Sequence, residues 1–333
     1  MSSQTIEINT NQNSLQQTNL LKKERTTIEL VKSKLFRVVN LLFLVLLLVQ
    51  LLPNKVEAAY TNYLVGLTLI LQVIVVIALI VPNSESGRNL FIDIISFIYG
   101  FLIIWTLLTA KFDVLNAALF PPMGKVIWQF IDDFDKIVIN LKSSFGIILQ
   151  GYILGLVIAI PLGLFLGWSA RLGSAATYVS KFLGSIPPIV YIPYGIALLP
   201  SFRSVSVFVI FLATFWPVLA STMSGVLNVE EKTINSARVL NLNKNSMLFS
   251  VLFPASLPQI FIGCNQGLSV SFILLTSAEM IGAGSGLGYY VKNYSDFGDY
   301  TRTIVGLLVI GLLVVTISFA FNKLQQYLLR WKK

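Results

Sequence analysis

The sequence predicts an all-α fold, a polytopic membrane helix bundle. Three observations carry that prediction. Of the 333 residues, 55% are hydrophobic and 12% are charged, about half the charged share of a soluble domain. The apolar residues gather in runs close to the ~20 residues that cross a bilayer as a helix. There is no histidine and one cysteine, Cys264. That inventory excludes an internal disulfide, a Cys/His zinc site and a histidine general base.

Residues 1–34 are polar, rich in Gln, Asn, Thr and Ser, and carry Lys22, Lys23, Arg25, Lys32 and Lys34 ahead of Arg37. A secretory signal has its positive region at the start, so this segment reads as a disordered cytosolic tail. Eight apolar segments follow, at about 36–52, 60–81, 90–109, 143–168, 177–199, 205–226, 256–281 and 303–321. The first two lie in an N-terminal extension, 35–89. The others build a core, 90–325, and residues 326–333 form a basic C-terminus. The fifth segment is interrupted by Pro187, Pro188 and Pro193. Proline removes a backbone donor and clashes with the preceding turn. A broken span of this kind survives inside a bundle or beside a wet cavity.

Orientation follows from the basic residues. With both termini in the cytosol, sixteen of the 24 Lys and Arg lie inside and eight outside. The net charge of +9 then reports topology and lipid contact, not nucleic acid. Residues 110–142 form an outer loop in which Val126, Ile127, Trp128, Phe130 and Ile131 suggest a short amphipathic surface helix.

The inner loop, 227–254, is the most informative stretch. Asn228 is placed to N-cap a helix, with Glu231 three residues on as in a capping box. Ile234, Ala237 and Leu240 form an apolar stripe. Asn241 tolerates a left-handed conformation and ends the helix. Asn243 to Ser246 make a polar turn, and Met247, Leu248, Val251 and Leu252 begin a second helix that Pro254 closes. The result is a cytosolic elbow whose apolar stripe must be covered by a partner or by its own bundle.

Three further patterns stand out. Gly151, Gly155, Ala159, Gly163 and Gly167 recur every four residues and predict close helix packing, with a kink at Pro161. Asn265, Ser269 and Thr276 share a helical face that either lines an uncharged pathway or bonds to neighbouring helices. Glu279 is deep in the seventh segment, where an ionisable group is costly. It is either a gate or pathway residue or a structural hydrogen-bond anchor. The glycines of 282–288 read as a flexible exit from that span.

The stretch Asn235-Ser236-Ala237-Arg238-Val239-Leu240-Asn241, followed by Val251-Leu252-Phe253-Pro254, resembles the EAA loop of ABC importer permeases. That pattern runs Glu-Ala-Ala, three residues, Gly, nine residues, Ile-x-Leu-Pro. Asn241 stands at the glycine and Pro254 at the proline, while Asn235, Ser236 and Asn241 depart from the usual residues. Phe120-Pro121-Pro122, Ser143-Ser144 through Gly151, Pro161-Leu162-Gly163, Ser185 to Ile189, Ala278-Glu279-Met280-Ile281 and Gly286-Leu287-Gly288-Tyr289 extend the resemblance over about 98–325. The likeness is greatest to the nitrate, sulfonate, taurine and bicarbonate branch, which also holds permeases for thiamine-precursor pyrimidines.

The resemblance implies a six-helix type I permease core plus two extra N-terminal spans, in the inner (plasma) membrane with both termini cytosolic. It implies that Glu231, Asn235, Ala237, Arg238, Leu240, Asn241 and Pro254 couple to a separate ABC ATPase. It implies an extracytoplasmic solute-binding protein and a second permease chain, most simply a homodimer, as further partners within the lipid bilayer. ATP and Mg would sit on the ATPase, and this chain would bind no cofactor or metal and hold no catalytic residue. The chain has no G-x-x-x-x-G-K-[ST] motif with which to cradle a nucleotide itself. An ion-coupled secondary transporter is the alternative, though no internal repeat is evident. A membrane enzyme would lack the usual catalytic groups.

Overall fold

The computed structural model describes residues 38–56, 60–80 and 85–332. The expected tail, 1–34, and its basic cluster lie outside the described residues. Those described are helical, with no strand among them, and the chain divides into two units, one up to Trp128 and one from Gln129.

The first unit holds α1 (Val38–Leu51), α2 (Thr61–Ile80) and α3 (Glu85–Thr106), the last continued by a π-helical turn, Leu107–Lys111. A polar seam runs between these apolar helices. The Gln50 amide donates to Thr68 Oγ1 at 2.9 Å and that of Gln72 to Asn40 Oδ1 at 2.9 Å. Tyr99 OH donates to Gln72 Oε1 at 3.3 Å. Side chains of this kind tie helices together where water offers no competing partner. The ammonium of Lys111 donates to Asn54 Oδ1 at 2.7 Å and to the carbonyls of Gln50 and Leu52. A buried cation thereby meets the negative end of α1.

The division between units falls within α4 (Met123–Asp132). The second unit continues with α5 (Phe134–Trp168), α6 (Ala170–Gly184), a 3₁₀ turn (Pro188–Tyr191), α7 (Ile192–Leu198) and α8 (Phe202–Leu227). Next comes α9 (Glu231–Val239), followed by a single turn (Lys244–Ser246) and a π-helical stretch (Met247–Leu252) that lead directly into α10 (Phe253–Gly282). The chain ends with α11 (Leu287–Asp296) and α12 (Tyr300–Leu328).

α8 is the central helix of this unit. An added Cβ at Gly151, Gly155, Gly163 and Gly167 of α5 would stand 2.7, 2.7, 2.6 and 2.9 Å from Cβ of Ile210, Thr214, Thr222 and Val226. Both series rise together, so α5 and α8 run parallel, in contact along a groove that only a missing side chain leaves open. α10 lies on another side of α8 with the opposite sense. Gly225 meets Ser256, Gly263 meets Ser221 and Gly267 meets Thr214, and the Thr214 and Ser271 hydroxyls bond at 2.9 Å. Parallel α5 and α8 require the intervening chain to cross back between them, which α6, the 3₁₀ turn and α7 do. Pro187 precedes the 3₁₀ turn and Pro193 sits in the first turn of α7. The break therefore falls where the prolines lie, and Ile192 packs with Val205, Val209, Leu274 and Ala278.

Among the described residues, six helices are long and apolar enough to span a membrane: Thr61–Ile80, Gly87–Lys111, Phe134–Trp168, Phe202–Leu227, Lys244–Gly282 and Tyr300–Leu328. The described part of the first segment is 14 residues long, and the fifth is the broken one. Three expectations are corrected. Within 110–142 the expected amphipathic surface helix is α4, but α5 begins at Phe134, well ahead of the fourth segment expected from 143. Its first turns, with Lys136, Asn140 and Lys142, are too polar to register in a hydropathy run. Asn228 does not cap α9. Its amide donates back to the Ser224 carbonyl at 2.8 Å and closes α8, while Glu230 stands at the N-terminus of α9 without a side-chain cap bond. Pro254 closes nothing. It lies in the first turn of α10, directly after the wider π-helical stretch, where a missing N–H is tolerated. Pro161 lies inside the continuous α5.

Candidate functional site

The elbow is built from α9, the turn after it and the start of the Lys244–Gly282 span. Ala237 is buried, and Ile234 packs on a cluster of Leu164, Val226 and Leu252 from α5, α8 and the π-helical stretch. Asn241 has φ 51°, the left-handed conformation that a short polar side chain accepts at modest cost, and its N–H bonds to the Arg238 carbonyl at 2.9 Å. Asn243 then accepts from Ser246 N at 2.7 Å and caps the next turn. This cap is legible afterwards as an Asn three residues ahead of Ser246.

The stripe does not hold together as expected. Leu240 lies beyond the end of α9 and is 72% exposed, and Val239 is 85% exposed. Between the elbow and the bundle is a cavity of about 340 Å³ lined by Ile234, Arg238, Leu242, Lys244, Met247 and Trp168, among others. Arg238 reaches Asn235 Oδ1 at 3.4 Å, and Glu231 opens α9 in the exposed first turn. Glu231, Asn235, Ala237, Arg238, Leu240 and Asn241 therefore belong to one surface feature, with Ala237 facing inward. Pro254 lies at the root of the adjoining span.

At the other end of that span, Glu279 is 1% exposed. Its Oε1 accepts from Ser144 Oγ at 2.7 Å and its Oε2 from Gly288 N at 2.7 Å. Ser144 also accepts from Leu287 N at 2.8 Å, and Asn140 Oδ1 accepts from Gly286 N at 2.8 Å. Gly286 has φ 128° and lies against the Glu279 carboxyl group, leaving no room for a Cβ. Of the other polar residues on α10, Ser269 is exposed and Asn265 and Thr276 are half-buried. Ser269 and Thr276 donate to the carbonyls of Asn265 and Phe272 at 3.0 and 3.1 Å. Glu279 thus stands apart from these three, on the buried side of the helix.

A second polar centre escaped the sequence reading. Asp133, between α4 and α5, is buried. Its Oδ2 accepts from Arg302 Nε at 2.5 Å, Tyr290 OH at 3.0 Å and Gln129 Nε2 at 3.1 Å, and its Oδ1 from Lys136 Nζ at 2.8 Å. Burial alone would raise the carboxyl pKa, but the bonds from Lys136, Arg302 and Tyr290 and the charge of Arg302 outweigh it and hold Asp133 below the ordinary carboxylate range. Burial, together with the neighbouring Asp133 charge, pushes the Tyr290 phenol up. Arg302 also pairs with Asp299 at 2.7 Å and lies over the Tyr294 ring. Asp133 and Arg302 are 169 positions apart, so no local spacing could have announced the pair.

The geometry is that of a helical bundle with an exposed elbow at one end and a firmly pinned loop at the other, joined by one 39-residue helix, Lys244–Gly282.

Comparison with known proteins agrees. Residues 151–333 match the family described as "binding-protein-dependent transport system inner membrane component". A probable ABC transporter permease protein of Brucella abortus is 31% identical over 229 residues, 69% of this chain and 91% of the relative. The nitrate import permease protein of Leptolyngbya laminosa is 28% identical over 174 residues, 52% of this chain and 62% of its own. A bicarbonate transport system permease protein of Synechocystis is 26% identical over 239 residues, 69% of this chain and 85% of its own. This chain therefore belongs to the binding-protein-dependent ABC transport permeases: it is a multi-pass membrane transport component, not an enzyme.

Proposed function

We propose that the chain forms the translocation pathway of an ATP-driven importer for a small solute, nitrate or bicarbonate foremost, with sulfonates and taurine in the same range. The elbow is the observation that supports this reading most directly. Ala237 and Ile234 fix α9 to the bundle, Asn241 sets the turn, and Val239 and Leu240 are left facing outward. A helix anchored on one face and apolar on the other suits docking in a groove of a separate ATPase. ATP and Mg would be held there. The Lys244–Gly282 helix is continuous from the elbow to Glu279, so a displacement of the elbow is passed along the span as a unit.

In this reading both termini and the elbow face the cytosol of a cell whose inner membrane holds the chain. The pinned loop at the opposite end faces an extracytoplasmic solute-binding protein. Two permease chains would enclose the pathway, with 90–325 as the shared core and 35–89 as an extension. ATP binding would close the ATPases, shift the elbows and open the pathway outward, and hydrolysis would restore the inward state. Names of relatives that carry nitrate and bicarbonate support the solute class.

The test is uptake by proteoliposomes holding this chain with its ATPase and binding protein. Labelled nitrate or bicarbonate should accumulate only with ATP inside the compartment that faces the elbow. Accumulation driven by an ion gradient alone, without ATP or partners, overturns the proposal in favour of a secondary transporter.

A further inference from the structure

A cavity of about 290 Å³ opens where α6, α8 and α10 meet. It is lined by Ser180, Lys181 and Ser185 at the C-terminal end of α6, by Trp216 and Ser221 of α8, and by Gln266 of α10. Its depth follows from the helix register. α6 runs against α8 with opposite sense, Gly173 meeting Leu227 and Gly184 meeting Trp216 at 3.1 Å. Trp216 and Pro217 stand near the midpoint of α8, and Gly263 of α10 is level with Ser221. Lys181, counted with the cytosolic residues on sequence alone, lies one turn from Gly184 and is exposed level with the interior of α8 rather than with its end.

A lysine at that depth is costly and persists where it faces water or a polar partner. Among the described residues Lys181 has no such partner. No Asp or Glu lines the cavity, and the side chains of Lys181, Ser221 and Gln266 make no hydrogen bond or ion pair with another described residue. Ser180 and Ser185 have their protons committed to the carbonyls of Ala176 and Phe182, at 2.6 and 2.7 Å. The free groups are therefore one ammonium, one hydroxyl and one carboxamide, with a net positive charge and donors to spare. A volume near 290 Å³ is roughly ten times the ~30 Å³ share of a water molecule. It has room for a small hydrated ligand.

We infer that this cavity is a transient binding site for a small oxyanion on the translocation pathway, with Lys181 supplying the charge and Ser221 and Gln266 the neutral donors. The inference rests on the permease reading above and adds the groups that select for negative charge. A single cation with neutral donors holds an anion loosely, as a site on a pathway must if the solute is to leave. A lipid phosphate presents the same oxyanion chemistry, so the test separates the two sources.

Single cysteines are placed at Ser221 and, independently, at Ser185, in the full chain in maltoside micelles. The native Cys264 is buried and gives little background. Each thiol is modified with an anionic reagent, sulfonatoethyl methanethiosulfonate, and a cationic one, trimethylammonioethyl methanethiosulfonate. A unit charge a few ångströms away acts with opposite sign on the two reagents, so the anionic one should react about tenfold faster relative to its rate with free thiol. Lys181→Met should abolish that preference. Sodium nitrate or bicarbonate should slow modification, and added phosphatidylglycerol should not.

A preference unchanged in Lys181→Met, or no modification at either position, overturns the inference. So does protection by phosphatidylglycerol in place of the inorganic anions, which assigns the cavity to a headgroup. ATP-driven uptake by the same chain separates the two levels. Uptake without charge preference fails the cavity alone, and charge preference without ATP dependence fails the importer.

Discussion

Ser144 Oγ donates to Glu279 Oε1 at 2.7 Å while accepting the N–H of Leu287 at 2.8 Å. One serine on α5 thereby joins the end of α10 to the start of α11. The second carboxyl oxygen of Glu279 takes the Gly288 N–H, so both oxygens are satisfied with donors from two directions. Replacing Glu279 with alanine removes two buried bonds and leaves their donors unpaired, a loss of about 3 kcal/mol. Glu279→Gln should cost less, since one amide edge still accepts while the other brings a proton with no acceptor. Thermal exposure of the buried Cys264 to a thiol-reactive dye measures both. Unfolding of Glu279→Ala at the wild-type temperature would show that the latch holds nothing.

Asp133 and Arg302 make a separate, pH-dependent fastening. Because the folded state holds the Asp133 carboxyl below its ordinary value of 3.8, the pair contributes stability above that value. The contribution is lost as pH falls from there through the lower folded pKa. Acid unfolding of the wild type should therefore steepen below about pH 4, and Asp133→Asn should flatten that limb. Asp133→Ala strands a partly exposed arginine and costs about 2–4 kcal/mol near neutral pH. An acid limb identical in Asp133→Asn would remove Asp133 as its source.

Much of the bundle was legible because it is written in local rules. Proline at 187 and 188 cannot continue a helix, small residues every four positions make a groove, and Asn241 marks a left-handed turn. What failed depended on partners distant in sequence or on where a helix ends. Ile234 and Ala237 share a face, but at ~100° per residue Leu240 falls some 120° round from Ile234. It also lies past the last residue of α9, Val239, so the stripe breaks there. Asn228 could cap forwards or backwards, and its amide turns back to Ser224, whose carbonyl also accepts the Asn228 backbone N–H. The start of α5 is polar and gains its order from Asp133, Gly286 and Leu287, none of which a hydropathy window connects to it.

The close approach of α5 to α8 makes its glycines non-interchangeable with others in the chain. At Gly163 a methyl group would stand 2.6 Å from Thr222 Cβ, whereas at Gly311 on α12 nothing lies within 4 Å. Gly163→Ala should destabilise by about 1–3 kcal/mol through forced separation of the helices. Gly311→Ala should be neutral or stabilising by up to ~1 kcal/mol from helix propensity. The same Cys264 exposure assay ranks the two. Equal effects would mean that the glycine groove is not in close contact.

Under the proposed docking of the elbow on an ATPase, the exposure of neighbouring residues separates docking from folding. Leu240 is 72% exposed and Ala237 is 4% exposed, so a charge at each should fail in different ways. Leu240→Glu meets solvent in the unbound chain and should leave its stability within about 0.5 kcal/mol of wild type. It should nevertheless weaken ATPase association by tenfold or more, since an unpaired carboxylate would enter an apolar contact. Ala237→Glu should unfold the elbow itself, because it forces a carboxylate into a buried site. Asn241→Gly keeps the left-handed turn and should preserve both properties, whereas Asn241→Val should cost about 1–2 kcal/mol through strain at φ 51°. Co-purification of the ATPase, measured beside the melting temperature of each variant, decides the matter. Undiminished association of Leu240→Glu, with Ala237→Glu still folded, would place the docking surface elsewhere on the chain.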